Sequence, residues 1–133
     1  MIERIEFNGS MLAVVVRSTF ESVGTNYLSA DDNSLQLGII NRKKGETTRP
    51  HIHKISPKTI MDVQEAMHIE CGIMEVEFYN DAGEKFTDIQ LTAGDTILLI
   101  SGGHGFNYIS DCKIVEIKQG PYMGFNQDKQ QFE

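Results

Sequence analysis

The sequence is poor in the residues that mark export, redox chemistry or nucleic-acid binding. Cysteine occurs twice, at Cys71 and Cys112, and no CxxC pair exists. That removes zinc knuckles and dithiol redox centres and leaves two free thiols as the expectation. Proline occurs three times and tryptophan not at all. No apolar run approaches the ~18 residues a membrane span needs. Acidic residues interrupt residues 1–7, where a secretory signal would need an apolar block, so the expected compartment is the cytoplasm. Positive charge is scarce: 12 Lys and Arg stand against 19 Asp and Glu, a net charge of −7. A general nucleic-acid binder needs a basic surface, and docking on anionic lipid needs a basic cluster. The expected partners are therefore a small molecule and a second copy of the chain, with no nucleic acid and no membrane.

What is present describes one globular domain over residues 1–133. Hydrophobic residues make up 40% and charged residues 23%, ordinary values for a packed chain. Twelve glycines punctuate short apolar or alternating segments. The pattern predicts strands at residues 2–7, 11–20, 35–41, 51–53, 63–70, 73–79, 86–91, 96–100, 107–109 and 112–119. Residues 22–33 read as a polar loop, 80–83 (Asn-Asp-Ala-Gly) as a hairpin turn and 101–105 (Ser-Gly-Gly-His-Gly) as a loop. No segment of ten residues carries a 3.6-residue apolar stripe. Turn signals every ~8–12 residues make the expected class all-β, a sandwich or barrel. Residues 120–133 form a polar C-terminal arm, read as a short helix, a covering strap or a frayed end.

Four histidines carry the chemistry. His51 and His53 are two apart, so on a strand their imidazoles share a face and can converge on one ion. Such a pair also arises by chance. His104 stands among Gly102, Gly103 and Gly105, a frame that lets backbone pack closely around a site. The competing reading is a plain glycine turn with a solvated imidazole. Glu65 is the single carboxylate on an otherwise apolar odd face of Val63, Met67, Ile69 and Cys71. A lone acid there is costly unless it is paired, bound to a metal, or at a strand end that reaches water. His68 falls on the opposite face and reads as a surface or interface histidine. Glu116 and Lys118 share a face with Cys112 and Ile114. They form an acid/base pair in the interior if that face points inward, and solvated charges if Val115 and Ile117 do. Arg49, Lys54 and Lys58 are candidates for steering an anionic ligand, or simply loop charges, and Tyr122 for covering a barrel mouth.

These residues resemble the two motifs of the cupin superfamily. Gly45, five residues, His51-Ile52-His53, and then Glu65, six residues, Gly72 match the halves of the first motif. Gly94-Asp95, an apolar strand, then Gly102, Gly103, His104 and Asn107 follow the second. The gap of eleven residues between His53 and Glu65 is longer than the family's usual one, and the proline of the second motif is absent. The likeness covers about residues 35–119, flanked by N-terminal strands over residues 1–20 and the C-terminal arm. It implies a double-stranded β-helix, or jelly-roll, barrel in which His51, His53, Glu65 and His104 gather around a divalent transition metal: iron, manganese, nickel, cobalt or zinc. It implies an enzyme on a small polar or anionic metabolite, of dioxygenase or isomerase type. It leaves open a non-catalytic binding or sensor protein and a metal-free epimerase or ketoisomerase. A homodimer, joined through a strand such as residues 2–7, belongs to the same expectation.

Overall fold

The computed structural model describes residues 1–132. It contains ten strands and one four-residue helix: β1 (Ile2–Phe7), β2 (Ser10–Val16), β3 (Gly24–Tyr27), β4 (Gly38–Asn41), β5 (Glu65–Cys71), β6 (Ile73–Tyr79), β7 (Lys85–Thr92), β8 (Thr96–Leu99), β9 (Gly103–Tyr108), β10 (Lys113–Lys118) and α1 (Phe125–Asp128). All strand pairs are antiparallel. The chain is nearly all β, as its periodicity predicts. No helix among the described residues is long and apolar enough to cross a membrane.

Two sheets hold the core. The larger runs β1-β2-β8-β5-β10, the smaller β7-β6-β9, and β3-β4 stands as a separate hairpin. Period-two alternation places Met67 and Ile69 of β5 and Met74, Val76 and Phe78 of β6 in one apolar cluster. Leu12, Ala13 and Val15 of β2 and Ile97 and Leu99 of β8 join them. Leu98, Val14 and Val16 are also buried, so β2 and β8 are covered on both faces. That agrees with the continuous apolar run read at residues 96–100.

Between β5 of the large sheet and β6 of the small one stands a single residue, Gly72. Its φ is +94°, and a Cβ there would lie 2.2 Å from the carbonyl oxygen of Asp111 and 2.7 Å from Cys112 Sγ. Only glycine fits a backbone so close and so turned. Asn80 closes the β6–β7 turn as expected, its Oδ1 accepting from the amides of Ala82 and Glu84 at 3.0 and 2.9 Å.

The structure corrects four readings. Residues 51–53 are not a strand; nothing between Asn41 and Glu65 is. A strand needs a hydrogen-bonding partner, and in this chain the segment, flanked by Pro50 and Pro57, has none. Gly24–Tyr27, inside the polar stretch, is a strand because its backbone pairs with β4, which makes side-chain apolarity unnecessary. Gly103, His104 and Gly105 belong to β9 rather than to a loop, since pairing with Tyr79, Phe78 and Glu77 overrides the weak strand preference of glycine. The strand read over residues 11–20 ends at Val16, where Arg17 turns to meet Asp95. The C-terminal arm takes the short-helix form at Phe125–Asp128.

Candidate functional site

Glu65 is the first residue of β5 and points with Met67 and Ile69 into the core, leaving it 9% exposed. His104 sits opposite Phe78 on β9, and its ring packs 5.2 Å from that of Phe106. The two meet across the sheets: His104 Nε2 donates to Glu65 Oε1 at 3.0 Å. The hydrogen bond and charge of His104 hold the Glu65 carboxyl below the usual carboxylate range, against the upward push of burial.

Two residues of β10 complete the cluster. Cross-strand register puts Lys118 opposite Glu65 and Glu116 opposite Met67, on the inward face. Val115 and Ile117 point out, 43% and 62% exposed. Of the two alternations open from the sequence, the structure takes the one that puts Glu116 and Lys118 on the Met67 side of the sheet, Lys118 half-buried and Glu116 still open to solvent. Replacing Ile117 by threonine is accordingly expected to change stability by less than about 0.5 kcal/mol in a denaturant titration. Glu116 stands within hydrogen-bonding reach of Glu65; burial first, and Glu65 second, push its carboxyl above the usual range. Two adjacent carboxyls therefore differ in state, Glu65 favouring the ionised form and Glu116 retaining its proton more strongly. Lys118 Nζ reaches Asp128 Oδ2 at 3.3 Å and lies 5.3 Å from the centre of the Tyr122 ring. The C-terminal arm, through Tyr122 and α1, therefore folds against the charged end of β10.

His51 and His53 stand apart from this cluster. Their rings are 5.2 Å from each other, and His51 Nδ1 lies 3.0 Å from the Arg49 carbonyl oxygen. Every residue from 40 to 63 is exposed. The four residues read from the sequence thus fall into two pairs, Glu65 with His104 and His51 with His53. Among the described residues no group of three His, Cys, Asp or Glu side chains is placed to hold a metal ion. As donors, three imidazoles and a carboxylate suit a divalent first-row ion. As an arrangement within one chain, they do not yet fit one.

The remaining candidates are scattered. His68 is exposed, with Nδ1 2.8 Å from Thr96 Oγ1, as its face predicts. Arg49 and Lys54 are exposed on the long segment. Lys58 borders a cleft of about 600 Å³ whose other walls include Asp31, Asp32 and Asp62, away from the Glu65–His104 pair. Cys71 and Cys112 are free. Sequence reasoning missed Asp128, because nothing in a polar tail announces which residue returns to the end of β10. It also missed the Arg17–Asp95 ion pair, whose partners are 78 positions apart and meet at 3.0 Å.

No family model matches the chain, and neither does any curated protein or solved structure.

Proposed function

We propose that this protein is a cupin-type jelly roll that binds a divalent transition metal and a small polar or anionic metabolite where β5, β9 and β10 converge. The observation that carries the reading is the 3.0 Å contact between His104 and Glu65, an imidazole and a carboxylate presented on the inner faces of two sheets. The cupin motif spacing supports the same choice of residues. Glu65 and His104 would hold the ion from the sheets, and His51 and His53 are the remaining donors. A bound ion supplies Lewis acidity or, as Fe(II), reactivity with oxygen.

The chain's own residues add acid–base capacity. Burial and the neighbouring Glu65 make Glu116 keep its proton more strongly than an ordinary glutamate, which suits it to exchange a proton with a ligand at the same place. Lys118 offers a positive charge for an anionic group, if the group displaces Asp128. An isomerase-type proton transfer uses both. Glu116 beside the Glu65–His104 contact also favours a second reading, a metal-free epimerase or ketoisomerase, in which Glu116 and His104 move the proton.

Elemental analysis of the protein as purified separates the readings. The first expects about one transition-metal ion per chain, lost at least tenfold in His51→Ala and in His53→Ala, both on an exposed segment whose truncation leaves the core intact. A metal-free protein that still isomerises a small anionic sugar derivative supports the second. Oxygen uptake after loading with Fe(II) distinguishes a dioxygenase from a protein that only binds.

A further inference from the structure

We propose that the C-terminal arm is a strap over the Glu65–His104 pair, and that its Asp128 carboxylate holds on Lys118 the place of a small carboxylate ligand. The inference rests on the reading of that cluster as a ligand site. It names the ligand's anionic group and the device that controls entry.

The two attachments of the arm flank the pair. The arm leaves β10 at Lys118, whose backbone stands opposite Glu65 on β5. It returns with Phe132 against Gly103, the residue before His104 on β9. A Cβ on Gly103 would lie 2.8 Å from Phe132 Cζ, and one on Gly83 would lie 3.1 Å from Phe132 Cδ1. Both are closer than ordinary carbon–carbon contact, so the ring sits where two side chains are missing. Tyr79 adds a wall, its ring centre 5.6 Å from that of Phe132. An arm that starts beside Glu65 and ends beside His104 spans the place where the two meet.

Between those points the arm touches the body with a charge. From Pro121 to Phe132 every residue but Gly124 and Asp128 is exposed. Tyr122, Met123 and Phe125 are 64%, 65% and 48% exposed. The Asp128 side chain is only 9% exposed, with its Oδ2 3.3 Å from Lys118 Nζ. An arm fastened for stability alone buries its apolar side chains and leaves its acids in water. This one does the reverse. Its backbone is also unattached. The amides of Gln127 and Asp128 donate to the Gly124 carbonyl and that of Lys129 to the Phe125 carbonyl. Among the described residues, no backbone hydrogen bond joins the arm to a strand. Only side-chain contacts have to break for it to lift.

The ligand class follows from what Asp128 is. Lys118 presents one ammonium, and Glu65 and Glu116 stand close enough for their charges to act on it. Such a place suits a singly charged anion, since a dianion would meet two acids with one cation to balance it. A free carboxylate and Asp128 bring the same group to the same nitrogen, so each excludes the other. Asp128 is tethered and enjoys a high effective concentration. A ligand displaces it only by adding contacts that an aspartate side chain lacks, and His104 and Glu116 are the groups at hand. The strap thus selects against carboxylates that bring nothing else.

Acetate, the smallest mimic of the aspartate side chain, tests this when titrated into isotope-labelled protein, with chloride at equal ionic strength as control. Amide resonances of the arm report its release, and those of the core report that each variant is folded. In wild type, the resonances of Asp128 and Phe132 should move together toward unstructured positions as acetate binds. Asp128→Asn and Phe132→Ala, both beyond the last strand, should bind acetate about fivefold more tightly, because no closed arm competes. Lys118→Gln should lose acetate binding. A plain structural anchor predicts no gain in affinity from either arm variant. An arm that ignores acetate, one that chloride releases equally well, or an Asp128→Asn protein that binds acetate no more tightly would overturn the proposal. Metal content and isomerase activity of the same wild-type protein keep the two readings apart. A metal-loaded or active protein whose arm stays shut sinks the strap alone. An arm that acetate releases, in a protein with neither metal nor activity, upholds the strap and sinks the functional reading.

Discussion

Replacing Asp95 by alanine is expected to remove about 3 kcal/mol of folding stability. Asp95 is 3% exposed in the turn between β7 and β8. Its carboxylate accepts from the amides of Thr92 and Ser18 at 2.8 and 2.9 Å and from the Arg17 guanidinium at 3.0 Å. Arg17 in turn pairs with Glu3 and donates to the Gln90 carbonyl at 2.6 Å. One carboxylate therefore fastens the end of β2 to the turn that launches β8. Its loss strands two amides and a guanidinium, each worth about 1–3 kcal/mol when left unpaired, with the arginine partly relieved by water. Asp95→Asn keeps the shape and one acceptor and should lose roughly half as much. Burial pushes the Asp95 carboxyl up, but the two amides and Arg17 outweigh it, and the group ionises below its usual value. A depressed carboxyl stabilises the fold above the unfolded value of 3.8 and ceases to as pH falls through the folded one. Wild type should therefore lose this contribution below about pH 4, and Asp95→Ala should have none to lose. Urea titrations at pH 7 and pH 3 measure both.

His104→Ala is expected to cost about 2 kcal/mol and to abolish metal retention. The truncation leaves the Glu65 carboxylate in the core without its donor, and the 26% exposure of the His104 side chain lets water repair part of the loss. Glu65→Gln, which removes the charge and keeps the shape, should cost less. The linkage signs of the two neighbouring glutamates are opposite. Glu65, depressed, stabilises above the unfolded value of 4.5 and stops doing so as pH falls; His104→Ala removes the main cause and flattens that dependence. Glu116, raised, contributes below 4.5 and loses that contribution as pH rises through its folded value. Glu116→Gln should therefore raise the melting temperature at pH 7. A drop instead would mean that the Glu116 charge is favourably paired.

The parts of this fold that were legible are those where one face of a strand decides. The odd face of residues 63–71 gave Glu65 its burial, and the run at residues 96–100 gave β8 its two covered faces. Asn80–Gly83 closed its hairpin by side-chain chemistry local to the turn. What failed depended on partners distant in sequence. Whether Gly103–Gly105 is loop or strand is settled by β6, and residues 51–53 are not a strand because no other strand pairs with them. The side taken by Glu116 and Lys118 was undecidable because Ile114 and Cys112 line one face and Val115 and Ile117 the other. Register with β5 made the choice. Of the site, the residue types were readable; the division into two pairs was not.

X-ray absorption at the edge of any transition metal that co-purifies with the wild-type protein, or is taken up when offered, tests the central claim most directly. The account predicts a nitrogen- and oxygen-rich shell with the scattering signature of three imidazoles, falling to two in His104→Ala if any metal remains. A shell containing sulfur, a shell with no imidazole, or a protein that takes up no ion when offered one would contradict it.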